Sequence, residues 1–346
     1  MYPRDFKRPI QPVRVAVLLR YIDYVEAVGA PVERLLERSG IPAVLRGNPM
    51  ALVPQESAMR FIDLACRCLG TEHVGIHVSL LFKLDNLGPY GQMLQRALTL
   101  HEYFRKGIAF YDTMVTGQRI WLTEHGEELR FNVANLNYTG GTAYQSEMET
   151  LVPSLERCKE AAGPEWSPRE IHLGYRTKTA LPDIELFDGS RIFSGTGATY
   201  FTFPRSLLKR RFPKVGGRED PTGDSASEIV RPLPNDFCGL VQVQIENFLT
   251  QGNHQIDTIA ETLAMSKRSL QRLLADEGSS YSEMLAEVRQ RLAVDWLETT
   301  EKSVGEIAND LGYTDSSNFS RAFHRQVGMS PQAFRRNGKK SSPQDG

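Results

Sequence analysis

Two short stretches near the C-terminus of this 346-residue chain gather the side chains that read base edges. The first holds Ser266, Lys267, Arg268, Ser269, Gln271 and Arg272; the second holds Asp315, Ser316, Ser317, Asn318, Ser320 and Arg321. In a major groove, arginine matches the two acceptors of guanine, and glutamine or asparagine matches the donor and acceptor of adenine. Both stretches therefore carry the chemistry of base readout. The basic residues that follow, His324, Arg325, Arg335 and Arg336 with Lys339 and Lys340 behind them, would serve phosphates, which set affinity and register rather than sequence preference.

What must position these groups is visible as a repeat. Ile259-Ala-Glu-Thr-Leu263-Ala-Met-Ser266 is echoed 48 residues on by Ile307-Ala-Asn-Asp-Leu311-Gly-Tyr-Thr314. One extra residue in the second turn then aligns Leu270 with Phe319, Arg272 with Arg321 and Leu274 with Phe323. Each copy reads as a helix with a small residue (Ala260, Ala308) where a second helix crosses closely. A tight turn follows, then an amphipathic helix whose polar face is the stretch described above. Gly312 suits a turn needing positive φ, and Ser266 and Thr314 are hydroxyl residues placed to cap the second helices. An isolated polar helix face is as often merely solvated, but two tandem copies at matched spacing favour two helix-turn-helix readers. Between them, residues 281–300 keep Tyr281, Met284, Leu285, Val288, Leu292 and Trp296 on one stripe. The spacing predicts one continuous helix of about 27 to 30 Å, suited to spanning adjacent major grooves on one DNA face about 34 Å apart. From Gln255 onward there are 12 lysines and arginines against 13 acids, so any positive footprint must come from segregation rather than net charge.

These residues resemble the AraC/XylS family of bacterial transcription regulators. The matching stretches are Met265 to Arg272, Arg289 with Leu292-Ala293, Ile307-Ala308, Leu311-Gly-Tyr313, Ser317 to Phe323, Gly328-Met-Ser-Pro331 and Phe334-Arg335. Relatives often carry Lys and Trp where this chain has His324 and Gln326. The resemblance implies a DNA-binding domain of two helix-turn-helix units, attached to an N-terminal domain that senses a small molecule or dimerises. It also implies double-stranded DNA as a partner, an activator more than a repressor, and RNA polymerase as a further partner of an activator. The N-terminal part resembles the companion domain of one subgroup, named for arabinose despite varied ligands. The echo runs through Leu87-Gly88, Tyr90-Gly91, Leu98 to Glu102 and Tyr200 to Pro204.

The polar, proline- and glycine-rich run at 212–236 reads as a linker. It divides an N-terminal domain at 13–211, for effector binding or dimerisation, from a DNA-binding domain at 237–337, with a disordered tail at 338–346. In the first domain, 13–28, 57–69 and 98–114 have helical spacing, 144–162 reads helical, and 119–122, 129–133, 170–175 and 198–203 read as strands. The fold class expected is an α+β N-terminal domain with a small antiparallel sheet, followed by an all-α C-terminal domain.

Tyr90, Phe110, Tyr111, Trp121 and Tyr144 are the aromatics singled out for an effector pocket, although ordinary core is the readier reading of each taken singly. His73 and His77 share a helical face near Cys66 and Cys68, but one short cluster favours a surface or core role over a metal. Ser194-Gly-Thr-Gly-Ala198 precedes a strand instead of opening a helix, so it reads as a turn and not a phosphate cradle. Neither His125 nor His172 has a catalytic partner at recognisable spacing, and no enzyme or cofactor is expected.

Lysine and arginine total 41 against 42 acids, so bulk charge does not advertise nucleic acid or membrane. Four scattered cysteines suit free thiols in a reducing compartment. With neither a secretory signal at the start nor an apolar run of membrane length, a soluble cytoplasmic protein is expected. The leading expectation is an effector-controlled, sequence-specific DNA-binding regulator. The alternative is a regulator whose N-terminal domain only dimerises, as a homodimer, or contacts a protein partner.

Overall fold

The computed structural model describes residues 11–81, 83–213, 232–249 and 251–340, except for the side chains of 338–340. Most of the expected linker (214–231) and the last six residues (341–346) of the expected tail lie outside the described residues. The chain forms two compact units that divide between Leu233 and Pro234.

The N-terminal unit is α+β. A two-stranded ribbon of β1 (Pro12–Arg14) and β2 (Leu52–Pro54) ties down the helices α1 (Val15–Ala27), α2 (Val32–Ser39) and α3 (Gln55–Leu69). The helices α4 (Val74–Leu80), α5 (Gly88–Gln95) and α6 (Leu100–Ala109) follow. The sheet comprises β3 (Gln118–His125), β4 (Glu128–Asn135), β5 (Glu170–Leu173), β6 (Arg191–Ser194) and β7 (Thr199–Pro204), with the long α7 (Gly140–Ala162) between β4 and β5. Its strand order is β3-β4-β7-β5-β6, antiparallel throughout except for the edge pair β5–β6, which is parallel. The four expected strands are present. The fifth, β6, has mostly exposed residues and hence no alternating signal to read. The Gly195-Thr196-Gly197 stretch turns the chain from β6 into β7, both glycines at positive φ (76° and 77°).

Alternation along β4 buries Leu129, Phe131 and Val133 and turns Arg130 and Asn132 outward. On the buried side Phe131, Phe201, Phe203 and Phe104 form one aromatic cluster with ring centroids 5.2 to 5.7 Å apart. Tyr144, Met148, Leu151, Val152 and Leu155 of α7 belong to the same core.

The C-terminal unit is all helical among the described residues: α8 (Phe237–Leu249), α9 (Ile256–Thr262), α10 (Lys267–Asp276), α11 (Tyr281–Thr299), α12 (Val304–Asp310), α13 (Ser316–Val327) and α14 (Pro331–Lys340). The last helix takes in three residues of the segment expected to be a disordered tail. Leu240, Val241, Ile245 and Phe248 of α8 are fully buried, as are Leu270, Leu274, Phe319 and Phe323 on the inner faces of α10 and α13.

Candidate nucleic-acid interface and an internal cavity

The helix pairs α9–α10 and α12–α13 occupy the two repeats, each joined by a turn of left-handed backbone. Gly312 has φ +70°, and its counterpart Ala264 has φ +55°, the one non-glycine residue in that region among the described residues. Ser266 caps α10 by accepting a hydrogen bond from the Ser269 backbone N–H at 3.2 Å. For α13 the capping residue is Asp315, not Thr314: the Asp315 carboxylate accepts from the Asn318 backbone N–H at 2.7 Å. The correction follows from the extra residue in the second turn, which moves the capping position one place along.

On α10, Lys267, Arg268, Gln271 and Arg272 are exposed, while Leu270 and Leu274 anchor the opposite face. Lys267 pairs with Asp257 of α9 at 2.9 Å, and the Ser266 and Ser269 hydroxyls hydrogen-bond each other at 2.9 Å. On α13, Ser316, Ser317 and Arg321 are exposed, with Asn318 and Ser320 half-exposed. A chain of hydrogen bonds runs through this surface. Arg321 donates to the Asn318 side-chain carbonyl at 2.6 Å, and the Asn318 amide donates to Asp315 at 2.6 Å and to Thr314 at 3.0 Å.

Of the expected phosphate-binding residues, His324, Arg325 and Arg336 are exposed. Arg335 is half-buried and turned inward: its Nε donates to the Leu297 carbonyl near the C-terminal end of α11, so it pins α14 to that helix. The spacer α11 has 19 residues, giving a rod of about 28 Å.

The residue that joins these parts is Arg289 of α11. Its guanidinium donates to the Leu311 carbonyl (2.8 Å), the Gly312 carbonyl (3.0 Å) and His254 Nε2 (3.1 Å), and lies 4.7 Å from the centre of the Tyr313 ring. An arginine only donates, so His254 Nε2 must be the acceptor and the imidazole is neutral with its proton on Nδ1. Burial, followed by the charge of Arg289, holds the His254 pKa below its ordinary value. Sequence reading marked Arg289 as a family match without a role; the signal available was a basic residue placed beside an otherwise apolar stripe.

In the N-terminal unit, α1, α5, α6, α7, β3 and β4 surround a cavity with about 670 Å³ of space free of atoms, part of it open to solvent. Tyr90 and Tyr111 line it, whereas Phe110, Trp121 and Tyr144 do not. Phe110 is exposed, and Tyr144 is fully buried with its hydroxyl 3.0 Å from His73 Nδ1. Sequence reading missed the two charged residues on the cavity wall, Arg20 of α1 and Glu149 of α7, which form an ion pair with side chains 8% and 5% exposed. Burial pulls the Arg20 guanidinium down to about 10, still charged at neutral pH. His73 is engaged through both ring nitrogens, by Tyr144 and by Thr179 at 3.0 Å, and His77 stacks on Tyr24 at 5.9 Å. Among the described residues, no three His, Cys, Asp or Glu side chains gather as a metal site, and none of the cysteines is in a disulfide.

Two helix-turn-helix units on a shared helical scaffold define a DNA-binding protein. Residues 259–337 match the family described as "Helix-turn-helix domain", and residues 29–212 match "Arabinose-binding domain of AraC transcription regulator, N-term". The chain is 41% identical over 343 residues to an uncharacterized HTH-type transcriptional regulator of Mycobacterium tuberculosis, covering 97% of this chain and 98% of that protein. It is 44% identical over 80 residues to the ornithine utilization regulator of Pseudomonas aeruginosa, covering 23% and 24% of the two chains. Among solved structures, the transcriptional regulator CdpR of Pseudomonas aeruginosa aligns with a TM-score of 0.41 at 18% identity over 92% of this chain and 96% of that one. The chain belongs to the AraC family of transcription regulators and carries that family's arabinose-binding-type N-terminal domain. It is a DNA-binding regulator rather than an enzyme. No described helix is long and apolar enough to cross a membrane.

Proposed function

We propose that this regulator acts as an activator whose N-terminal unit binds a small-molecule effector and thereby biases DNA engagement. The observation that carries the reading is a largely apolar cavity, partly open to solvent, in the unit that accompanies a duplicated DNA reader. Coupling requires the effector to favour the DNA-competent state over the other. Arg268, Gln271 and Arg272 of α10, with Lys267, Ser266 and Ser269 beside them, would read one major-groove segment. Asn318 and Arg321 of α13 would read the next, with Ser316, Ser317 and Ser320 beside them and Asp315 holding the helix end. His324, Arg325 and Arg336 would meet phosphates. RNA polymerase would be the partner through which activation is exerted, and a homodimer would place two copies on a longer operator.

The exposure of Arg268 and Arg321, one before and one after a 19-residue spacer in the chain, supports these assignments. Arg268→Ala and Arg321→Ala should each cost roughly 1 to 3 kcal/mol at the specific site, about 5- to 150-fold in affinity. Gel-shift titration on a selected operator measures this, and wild-type binding by both variants would reject the base-reading roles. Transcription in vitro with purified polymerase, with and without candidate effectors, tests activation.

A further inference from the structure

The cavity of the N-terminal unit has a chemical bias of its own. Most of its wall is hydrocarbon and aromatic, contributed by residues such as Val17, Leu94, Phe104, Ile108, Ile120 and Phe131. Several of the polar groups that reach it are engaged within the protein. Tyr90 OH donates to the Gly107 carbonyl at 3.0 Å, Tyr111 OH and Thr150 Oγ1 are 2.9 Å apart, and Ser154 Oγ donates to the Thr150 carbonyl at 2.9 Å. The Gln118 amide donates to the Ser146 carbonyl and to Thr150 at 3.1 and 3.2 Å. The charged side chains on the wall are those of the buried Arg20–Glu149 ion pair, whose charges cancel.

This arrangement discriminates among ligands. A sugar would bury several hydroxyls against hydrocarbon with few partners for them. A carboxylate or an amine would add a third charge to a balanced pair and leave one charge uncompensated in a desolvated site. A neutral group with a donor and an acceptor side by side can lie along the pair, accepting from the guanidinium and donating to the carboxylate, with no net charge buried.

We propose that the cavity binds an uncharged, largely apolar small molecule that presents one amide-type group to the Arg20–Glu149 pair, and that its ligand is not a sugar. This inference rests on the effector reading above and deepens it.

The test uses the full chain, the uncharged dye N-phenyl-1-naphthylamine, and four matched competitors: 3-phenylpropanamide, 3-phenylpropanoate, 3-phenylpropylamine and L-arabinose. Dye fluorescence and its displacement report binding, and thermal shift checks that ligands favour the folded form. The amide should displace the dye at least about tenfold better than the acid or the amine, and arabinose should displace none. Gly107→Ala locates the site. Gly107 lines the cavity, and a Cβ there would sit 3.6 Å from both Leu94 Cδ2 and Tyr90 OH, ordinary contact, so the fold accommodates it while the cavity shrinks. This variant should bind dye and amide about tenfold more weakly without losing thermal stability, because alanine is also the better helix former. Acid, amine or sugar displacing the dye as well as the amide would overturn the chemical assignment and leave the effector reading intact. Equal dye binding by Gly107→Ala and wild type would overturn the location, and no binding by any of the five compounds would remove both readings.

Discussion

Removing the Arg289 guanidinium tests whether the second reader is held by the spacer helix. Arg289→Met keeps most of the side-chain length and deletes the charge-assisted bonds to the Leu311 and Gly312 carbonyls and to His254. Hydrogen bonds to a charged group contribute about 1.5 to 3 kcal/mol each, so the two carbonyl bonds alone correspond to roughly 3 to 6 kcal/mol. Arg289 is only half-buried, and water can reach part of the vacated space, which brings the expected loss towards the lower end, about 3 kcal/mol. For a domain of about 100 residues that corresponds to a fall of roughly 12 to 24 °C in melting temperature. The assay follows Trp296 fluorescence during denaturation of the full chain in a background where Trp121 and Trp166 are phenylalanine, since these are the three tryptophans of the sequence. Arg289→Lys, which retains the charge but not the forked geometry, should fall between the two. A Met variant unfolding within about 0.5 kcal/mol of wild type, the scatter expected of a surface substitution, would refute the joint as a stabilising element.

Three further outcomes follow from the same unit. Ala264→Gly should stabilise it by about 0.5 to 1 kcal/mol, because relief of left-handed strain outweighs the added chain entropy; Gly312→Ala should cost roughly 2 kcal/mol or more, as its Cβ would also meet His254 Cε1 at 2.5 Å. Urea titrations of the two variants would show shifts of opposite sign, and shifts of the same sign would sink the pairing of these positions. Because the folded state depresses the His254 pKa, the unfolded chain takes up the proton first: stability is fully present above the ordinary histidine value of about 6.5 and is lost as pH falls through the depressed folded value. Denaturation midpoints taken down that range should fall for wild type, and His254→Asn should flatten the fall; an unchanged slope in the variant would remove His254 from the account. Asn318→Ala should weaken specific DNA binding although Arg321 is retained, by about threefold to tenfold, because the bond that orients the guanidinium and the proposed base contact of Asn318 itself are both gone; gel shifts equal to wild type would remove both roles.

The helical reader was legible because its signals are local and occur twice. Ile259 and Ile307, Ala260 and Ala308, and Leu274 and Phe323 stand at matched spacings, and the burial of each follows from that periodicity alone. The four main strands were legible for the same reason. What the sequence withheld depends on partners far away in the chain. Strand β6 is held by pairing with β5 about twenty residues before it, and β1 by pairing with β2 across three intervening elements. Helices α2, α4 and α5 are each only seven or eight residues long, too short for a stable periodic signal. The cavity pair needs Arg20 and Glu149, 129 positions apart, to meet between α1 and α7. The charge of Arg335 is visible in sequence, while the Leu297 carbonyl that takes its hydrogen bond is not.

The two readers are duplicated in architecture but not in how they hold their side chains. Arg321 is tethered through Asn318 to the capping carboxylate of Asp315, so part of its rotamer freedom is already lost before any ligand arrives. On α10, the basic residue engaged within the first unit is Lys267, paired with Asp257, while Arg268 and Arg272 project from exposed positions. A pre-oriented guanidinium loses less entropy on forming a forked contact than a free one, and it tolerates fewer geometries. On the proposed reading, the second unit should therefore discriminate more sharply at the base pair Arg321 meets, while the first accommodates more sequence variation by swinging Arg268 and Arg272. The turns have the opposite ranking of strain: Ala264 holds left-handed backbone at a cost that Gly312 does not incur, so the first unit combines a strained hinge with loosely held readers. On that reading, both differences would make α9–α10 the more adaptable half of the interface and α12–α13, fastened to α11 by Arg289, the half that fixes register.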